Sequence, residues 1–226
     1  MNLLTKNILA LLIFRSFTSL AQNTNEVLKK LENDLAGKQI SISNILSNEK
    51  YMYLHAQKIF RELIKRYAGT GNIKIVTDNE PGKRINVICT VTDKEWRPFA
   101  GALVYIYQTS AKGWYSDTAA HILVNEGDMH HARLFGYTVT DDEGKIEIET
   151  IQPSGYPNSE LPAHIHISMW KNGNFVQGVP GELLFEDDKR LPEERKQLAI
   201  REGFIISKNT GTKTDPVYTY LIKINN

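Results

Sequence analysis

One cysteine in 226 residues, Cys89, leaves no partner for an internal disulfide and no thiolate set for zinc or an iron–sulfur cluster. It stands in the apolar run Asn86-Val-Ile-Cys-Thr-Val91, where packing is the expected role rather than reactivity. A surplus of one charge sign is also missing. Lys and Arg number 27 against 26 Asp and Glu, a formal net charge of +1, so nothing electrostatic argues for nucleic acid or an anionic membrane surface. No apolar run reaches the roughly 20 residues that a bilayer-spanning helix needs. Internal repeats and low-complexity tracts are absent too.

What remains is an ordinary globular composition, 41% hydrophobic, enough to bury a substantial core as one domain. Residues 1–21 read as a removable leader. Lys6 supplies the positive start, Ile8-Leu-Ala-Leu-Leu-Ile-Phe14 the short apolar centre, interrupted after it by Arg15, and Ser19-Leu-Ala21 a small-x-small ending. The expected mature chain begins near Gln22 and is extracytoplasmic, periplasmic or secreted.

Residues 22–70 read as a helical extension. Val27, Leu28, Leu31 and Leu35 fall at helical intervals before Gly37. A second helix is predicted from a cap at Asn48 to Gly69, with Met52, Ala56, Ile59, Phe60, Leu63 and Tyr67 as its apolar stripe. Lys58, Arg61, Glu62, Lys65 and Arg66 would form its solvated face, and His55 would be structural. These helices are expected to pack on the main domain or to form a homodimer contact.

From residue 71 onward short strands alternate with turns. Expected strands are Ile73–Val76, Arg84–Val91, Gly101–Gln108, Phe135–Thr140, Lys145–Thr150, Ala163–Trp170, Gly181–Phe185, Phe204–Lys208 and Tyr218–Ile224. The expected fold class is all-β: an antiparallel β-sandwich over residues 71–226 with an N-terminal helical extension. Residues 109–134 form a long connection, and Glu186–Lys196 a charged surface loop with a helical turn.

The chemistry gathers in Pro153-Ser-Gly-Tyr-Pro-Asn-Ser-Glu-Leu-Pro-Ala-His-Ile-His-Ile-Ser168. Side chains alternate along a strand, so His164 and His166 share one face while Ile165 and Ile167 take the other. Tyr156 precedes Pro157, which holds its backbone extended. In Lys112-Gly-Trp-Tyr-Ser-Asp117, Gly113 permits a sharp turn that swings Tyr115 back over the sheet end. Two phenols and two imidazoles form a hard oxygen and nitrogen set, better suited to ferric iron than to zinc, magnesium or calcium. Plainer roles stand beside this one. Tyrosines commonly line β-sheet cores, the histidines could face solvent on an edge strand, and Trp114 could line a pocket or anchor its loop. His121, Asp128, His130 and His131 in the long connection are expected to be surface groups rather than a second site.

Taken together these segments resemble the intradiol ring-cleavage dioxygenases, the catechol and protocatechuate dioxygenase family. The matching motifs are Pro98-x-x-Gly101-Ala-x-Val104 with Gln108, Gly113-x-Tyr115, and Gly136-Tyr-x-x-Thr140-Asp-x-x-Gly144. Thr150-Ile-x-Pro153-x-Gly155-Tyr-Pro157 and Pro162-Ala-His-Ile-His166 follow in the family's order, across roughly residues 84–186. The resemblance implies a non-haem Fe(III) cofactor, with Tyr156 and His166 as axial ligands and Tyr115 and His164 as equatorial ones. It implies that a catechol and dioxygen are the partners, and that the ring opens between the hydroxyl-bearing carbons to a muconate-type diacid. Tyr115 and Tyr156 would be catalytic, and Trp114, Leu161 and Glu182 would line the substrate pocket.

Two positions depart from the family's pattern. Leu161 stands where an Arg commonly precedes Pro-Ala-His-x-His, and Glu182 where a Gln contacts the site. Losing a cation beside developing negative charge costs on the order of a few kcal/mol of transition-state stabilisation, and Arg133 or Lys112 could replace it. Two other functions compete. One is a catalytically weak or inactive module that binds metal or aromatics; the other is a transthyretin-like scaffold in which the four side chains do not converge.

Overall fold

A computed structural model of the chain describes residues 24–116 and 132–225. The expected leader, residues 1–21, and His121, Asp128, His130 and His131 lie outside the described residues. The chain divides into two compact units after Ile40. In the first, residues 24–36 form helix α1, with Leu28, Leu31 and Leu35 buried as their spacing predicts.

The second unit begins with three short helical pieces, the last two of which replace the one long helix expected from Asn48 to Gly69. Ser41 caps α2 (Ile42–Leu46) by accepting from the Asn44 amide, and Asn48 caps a 3₁₀ turn (Glu49–Leu54) by accepting from Lys50. Helix α3 (Lys58–Arg66) follows after a break at His55–Gln57. The break rotates the buried stripe. Ile59, expected inside, is exposed, and Arg61, expected in solvent, is buried. Its guanidinium donates to Tyr105 Oη at 2.8 Å and to the Ala132 carbonyl at 2.6 Å, and lies 3.8 Å from the centre of the Phe135 ring. A buried cation is tolerated when such partners replace water. His55 is structural, as expected: Nδ1 lies 2.7 Å from the Arg133 carbonyl and the ring stacks on Phe60.

The strands are β1 (Gly69–Thr70), β2 (Asn72–Lys74), β3 (Arg84–Thr92), β4 (Leu103–Gln108), β5 (Leu134–Val139) and β6 (Lys145–Ile151). After them come β7 (His164–Lys171), β8 (Asn174–Phe175), β9 (Glu182–Phe185), β10 (Ile205–Ser207) and β11 (Val217–Lys223). One sheet runs β1-β5-β4-β7-β9-β10, with β8 beside β7; the other runs β11-β3-β6-β2. The expectation of an antiparallel sandwich needs correction here, because both sheets are mixed. Central pairs such as β4–β7 and β3–β6 are antiparallel, while β1–β5, β9–β10, β11–β3 and β2–β6 are parallel. A parallel neighbour demands a crossover. Between β9 and β10 that crossover carries helix α4 (Glu193–Arg201).

The core lies between the sheets. On β3, Ile85, Val87, Cys89 and Val91 alternate inward, and Tyr218, Tyr220 and Ile222 do so on β11. Phe185 meets Tyr218 edge-on at 4.8 Å, and Tyr220 Oη donates to the Leu184 carbonyl at 2.9 Å. Gln108 bridges the layers by donating to Ile151 O and accepting from Thr150 Oγ1. Burial pushes the Cys89 thiol up to about 12, so it packs as an inert side chain.

Helix α3 docks on β5 through Phe60, which is fully buried and edge-on to Phe135 at 6.4 Å. Phe60→Ala is expected to cost about 3–5 kcal/mol of stability. Urea denaturation of the variant against the parent checks this.

Candidate metal centre

β7 is flanked by β4 and β9 within its sheet, so its rungs are fixed on both sides. His164 and His166 project from one face, as their spacing predicts. Their neighbours on β9 are Leu184 and Glu182, and Tyr107 on β4 pairs with His166. The Tyr107 ring stacks on the His166 imidazole at 4.3 Å and 9°, holding its plane. The sequence reading missed Tyr107. Its signal is register across strands, which spacing along one strand cannot supply.

Two turns bring the tyrosines over this face. Gly113 has φ +77, and a Cβ there would sit 2.3 Å from the Gly155 carbonyl oxygen, so only glycine fits. A side chain on Gly155 would strike Arg190 and the Leu161 carbonyl. The turns are tied together by Thr109 Oγ1 donating to Ser154 O at 2.6 Å and by Ser154 N donating to Ser110 O. Arg133 N donates to Tyr115 O at 2.7 Å, and Arg190 Nη1 donates to Tyr156 O at 3.2 Å. Arg190 is a second residue that sequence reasoning missed, because it arrives from a distant loop with no motif of its own.

The result is a ring of four polar atoms. Tyr115 Oη lies 2.5 Å from Tyr156 Oη and 2.8 Å from His166 Nε2. Tyr156 Oη lies 3.0 Å from His164 Nε2, and the two Nε2 atoms are 3.1 Å apart. Tyr115, Tyr156 and His164 are buried and His166 is half-buried. At the metal–imidazole distance of about 2.0–2.1 Å known for zinc, donors at right angles lie about 2.9 Å apart. The four contacts span that value. Around the ring Tyr156 is diagonal to His166, and Tyr115 to His164.

Hydrogen bonding alone does not account for the ring. His164 Nδ1 lies 2.8 Å from the Pro162 carbonyl, which can only accept, so the proton belongs on Nδ1 and Nε2 is a bare lone pair. Burial, with His164 adding to it, lowers the pKa of His166 from 6.5 to about 3, so its imidazole is neutral. Glu182 Oε1 lies 3.9 Å from His166 Nδ1 and favours the proton on that side. Two lone pairs then face each other, and two phenol hydrogens serve four contacts. A shared cation removes the conflict. A carboxylate oxygen of Glu182 lies within 4.8 Å of ligand atoms of both histidines, on the Nδ1 side of His166 and outside the four-donor ring.

A family described as "Dioxygenase" matches residues 66–221 of this sequence. The chain belongs to the intradiol ring-cleavage dioxygenase family. The chain is 35% identical over 107 residues to the protocatechuate 3,4-dioxygenase beta chain of Burkholderia cepacia, a match covering 42% of each chain. It is 37% identical over 67 residues to catechol 1,2-dioxygenase of Candida albicans, covering 30% of this chain and 20% of the relative. Each match spans less than half of the relative's length. In fold the chain is similar to an intradiol ring-cleavage dioxygenase from Tetranychus urticae, with a TM-score of 0.51 at 23% identity, over 69% of this chain and 85% of that one. Catechol 1,2-dioxygenase from Acinetobacter sp. ADP1 gives the same score at 16% identity, over 100% and 87%.

The remaining candidates fall in different places. Leu161 and Glu182 line a cavity of about 500 Å³ beside the ring, whereas Trp114 lines a separate recess of about 130 Å³ with Lys112, Glu80 and Arg133. Arg133 is committed to Glu80 by two hydrogen bonds of 2.5 and 2.7 Å, and the Lys112 amine lies 5.5 Å from the Trp114 ring. Among the described residues, neither supplies the charge that Leu161 lacks.

Gly113→Ala should separate the two turns, lowering stability by about 1–3 kcal/mol and weakening metal uptake together. Denaturation and metal titration of the same variant read both effects. Unfolded, His166 takes up a proton near 6.5; folded, only near 3. Metal-free protein should therefore lose stability as pH falls through that window, and His166→Asn should lose less of it over the same interval. Thermal melts across that pH range provide the comparison.

Proposed function

We propose that the protein is a non-haem Fe(III) intradiol dioxygenase that opens a catechol between its two hydroxyl-bearing carbons. Both atoms of O2 enter the product, a muconate-type diacid. The observation that carries this reading is the convergence of Tyr115, Tyr156, His164 and His166 in a ring with edges of 2.5–3.1 Å. Family membership supplies the reaction class. We extend the proposal to an extracytoplasmic location, on the strength of the apolar N-terminal run.

Tyr115, Tyr156, His164 and His166 would hold the iron. When bound, ferric iron supplies Lewis acidity toward both oxygens of a catechol. The protein's share is positional. The Pro162 carbonyl and the Tyr107 ring fix the two imidazoles, so their lone pairs need no reorganisation. Tyr156 would give up its own proton when the metal binds, and its Oη, between Tyr115 Oη and His164 Nε2, is then placed to take one from a catechol hydroxyl. Leu161, Pro162 and Leu184 give the approach an apolar wall that limits water at the site.

Leu161, 55% exposed at the cavity, also favours a second reading. With no guanidinium there, the same scaffold could bind metal and aromatics with little or no turnover. Oxygen uptake decides between them. Iron-loaded protein should be reddish from tyrosinate-to-iron charge transfer and should consume O2 with unsubstituted catechol. Tyr156→Phe and His164→Ala should each fade the colour and lower kcat by roughly 10²-fold or more. Colourless protein after iron loading defeats the dioxygenase reading; colour without oxygen uptake supports the binding module.

A further inference from the structure

An opening of about 540 Å³ reaches the four-donor ring at His166 and is bounded by Gly178–Glu182 and Glu202–Phe204; a second, of about 500 Å³, is bounded by Leu161, Glu182, Leu184 and α4. Both are lined in part by Glu182, Glu202 and Phe204, so they lie side by side along β9 and the start of β10. Either opening exceeds the needs of an unsubstituted catechol ring and leaves room for a substituent.

The charges around the two openings are one-sided. Among the described residues lining them, the carboxylates are Glu160, Glu182 and Glu202, and the one guanidinium is Arg195. Arg195 is turned to the protein itself. Nη1 donates to Glu160 O at 2.6 Å and to Arg190 O at 3.3 Å, and Nη2 lies 3.8 Å from Glu160 Oε2. That leaves Glu182 and Glu202 uncompensated, beside the apolar surfaces of Leu161, Leu184, Leu191 and Phe204. Glu182 stands nearest the ring, its side chain about one-third exposed (32%), on the rung facing His166.

Resting on the dioxygenase reading, we propose that this pair of openings selects catechols bearing a cationic, amine-containing substituent and disfavours carboxylate-bearing ones, with Glu182 as the main determinant and Glu202 assisting. A carboxylate on the substrate would meet two like charges in a partly dry pocket with no free cation among the lining residues described. An ammonium would meet complementary ones. At an effective dielectric of about 20, a single charge a few ångströms away changes affinity by on the order of ten- to a hundredfold.

The test is oxygen uptake by iron-loaded protein at neutral pH and low salt. Its substrates are catechol, 4-(2-aminoethyl)catechol and 3,4-dihydroxybenzoate. The expected kcat/KM for the amine exceeds that for the carboxylate by tenfold or more. Glu182→Gln should cut that ratio at least fivefold, Glu202→Gln should cut it less, and raised salt should shrink it. Iron colour retained in both variants shows that the centre is intact. Turnover of catechol with the carboxylate preferred, or with a ratio that Glu182→Gln leaves unmoved, overturns this inference and spares the dioxygenase reading. Iron-bound protein inactive toward all three substrates overturns both.

Discussion

Two unprotonated imidazole nitrogens 3.1 Å apart are an unfavourable pair, and much of this structure exists to keep them so placed. The Pro162 carbonyl commits the proton of His164 to the far side of its ring, and burial keeps His166 neutral. Neither imidazole can turn away. His166 is stacked against Tyr107, and both residues sit on a strand paired on each side. A polypeptide tolerates such a conflict when a ligand resolves it, which is why strain of this kind gathers at functional sites.

The phenols obey a different constraint. They ride on turns, which are free to wander unless tied, and here the ties are backbone and hydroxyl contacts between residues 109–113 and 154–155. Gly113 and Gly155 let the turns touch, and Arg190 closes the outside. The centre is therefore half sheet and half turn. The sheet fixes direction, and the paired turns fix distance.

How much of this could be read from the chain follows from the range of each interaction. Period-two alternation placed the two histidines on one face, and the residue order around Gly113 and Pro157 put the tyrosines in turns, because those are local rules. The strands agree with their expected spans within a few residues. Arg61 and Ile59 exchanged roles because the chain breaks at His55–Gln57, and a helical wheel assumes continuity. Parallel pairing of β11 with β3 and of β10 with β9 depends on crossovers that hydrophobic patterning does not encode. Tyr107 and Arg190 were invisible for the same reason: they matter through partners 59 and 34 residues away.

The β9–β10 crossover separates two properties of the protein. Its helix α4 walls the cavity but carries none of the four converging side chains, which sit on β7 and two turns elsewhere. Substitutions along residues 193–201 can thus reshape the cavity while leaving the four converging side chains in place.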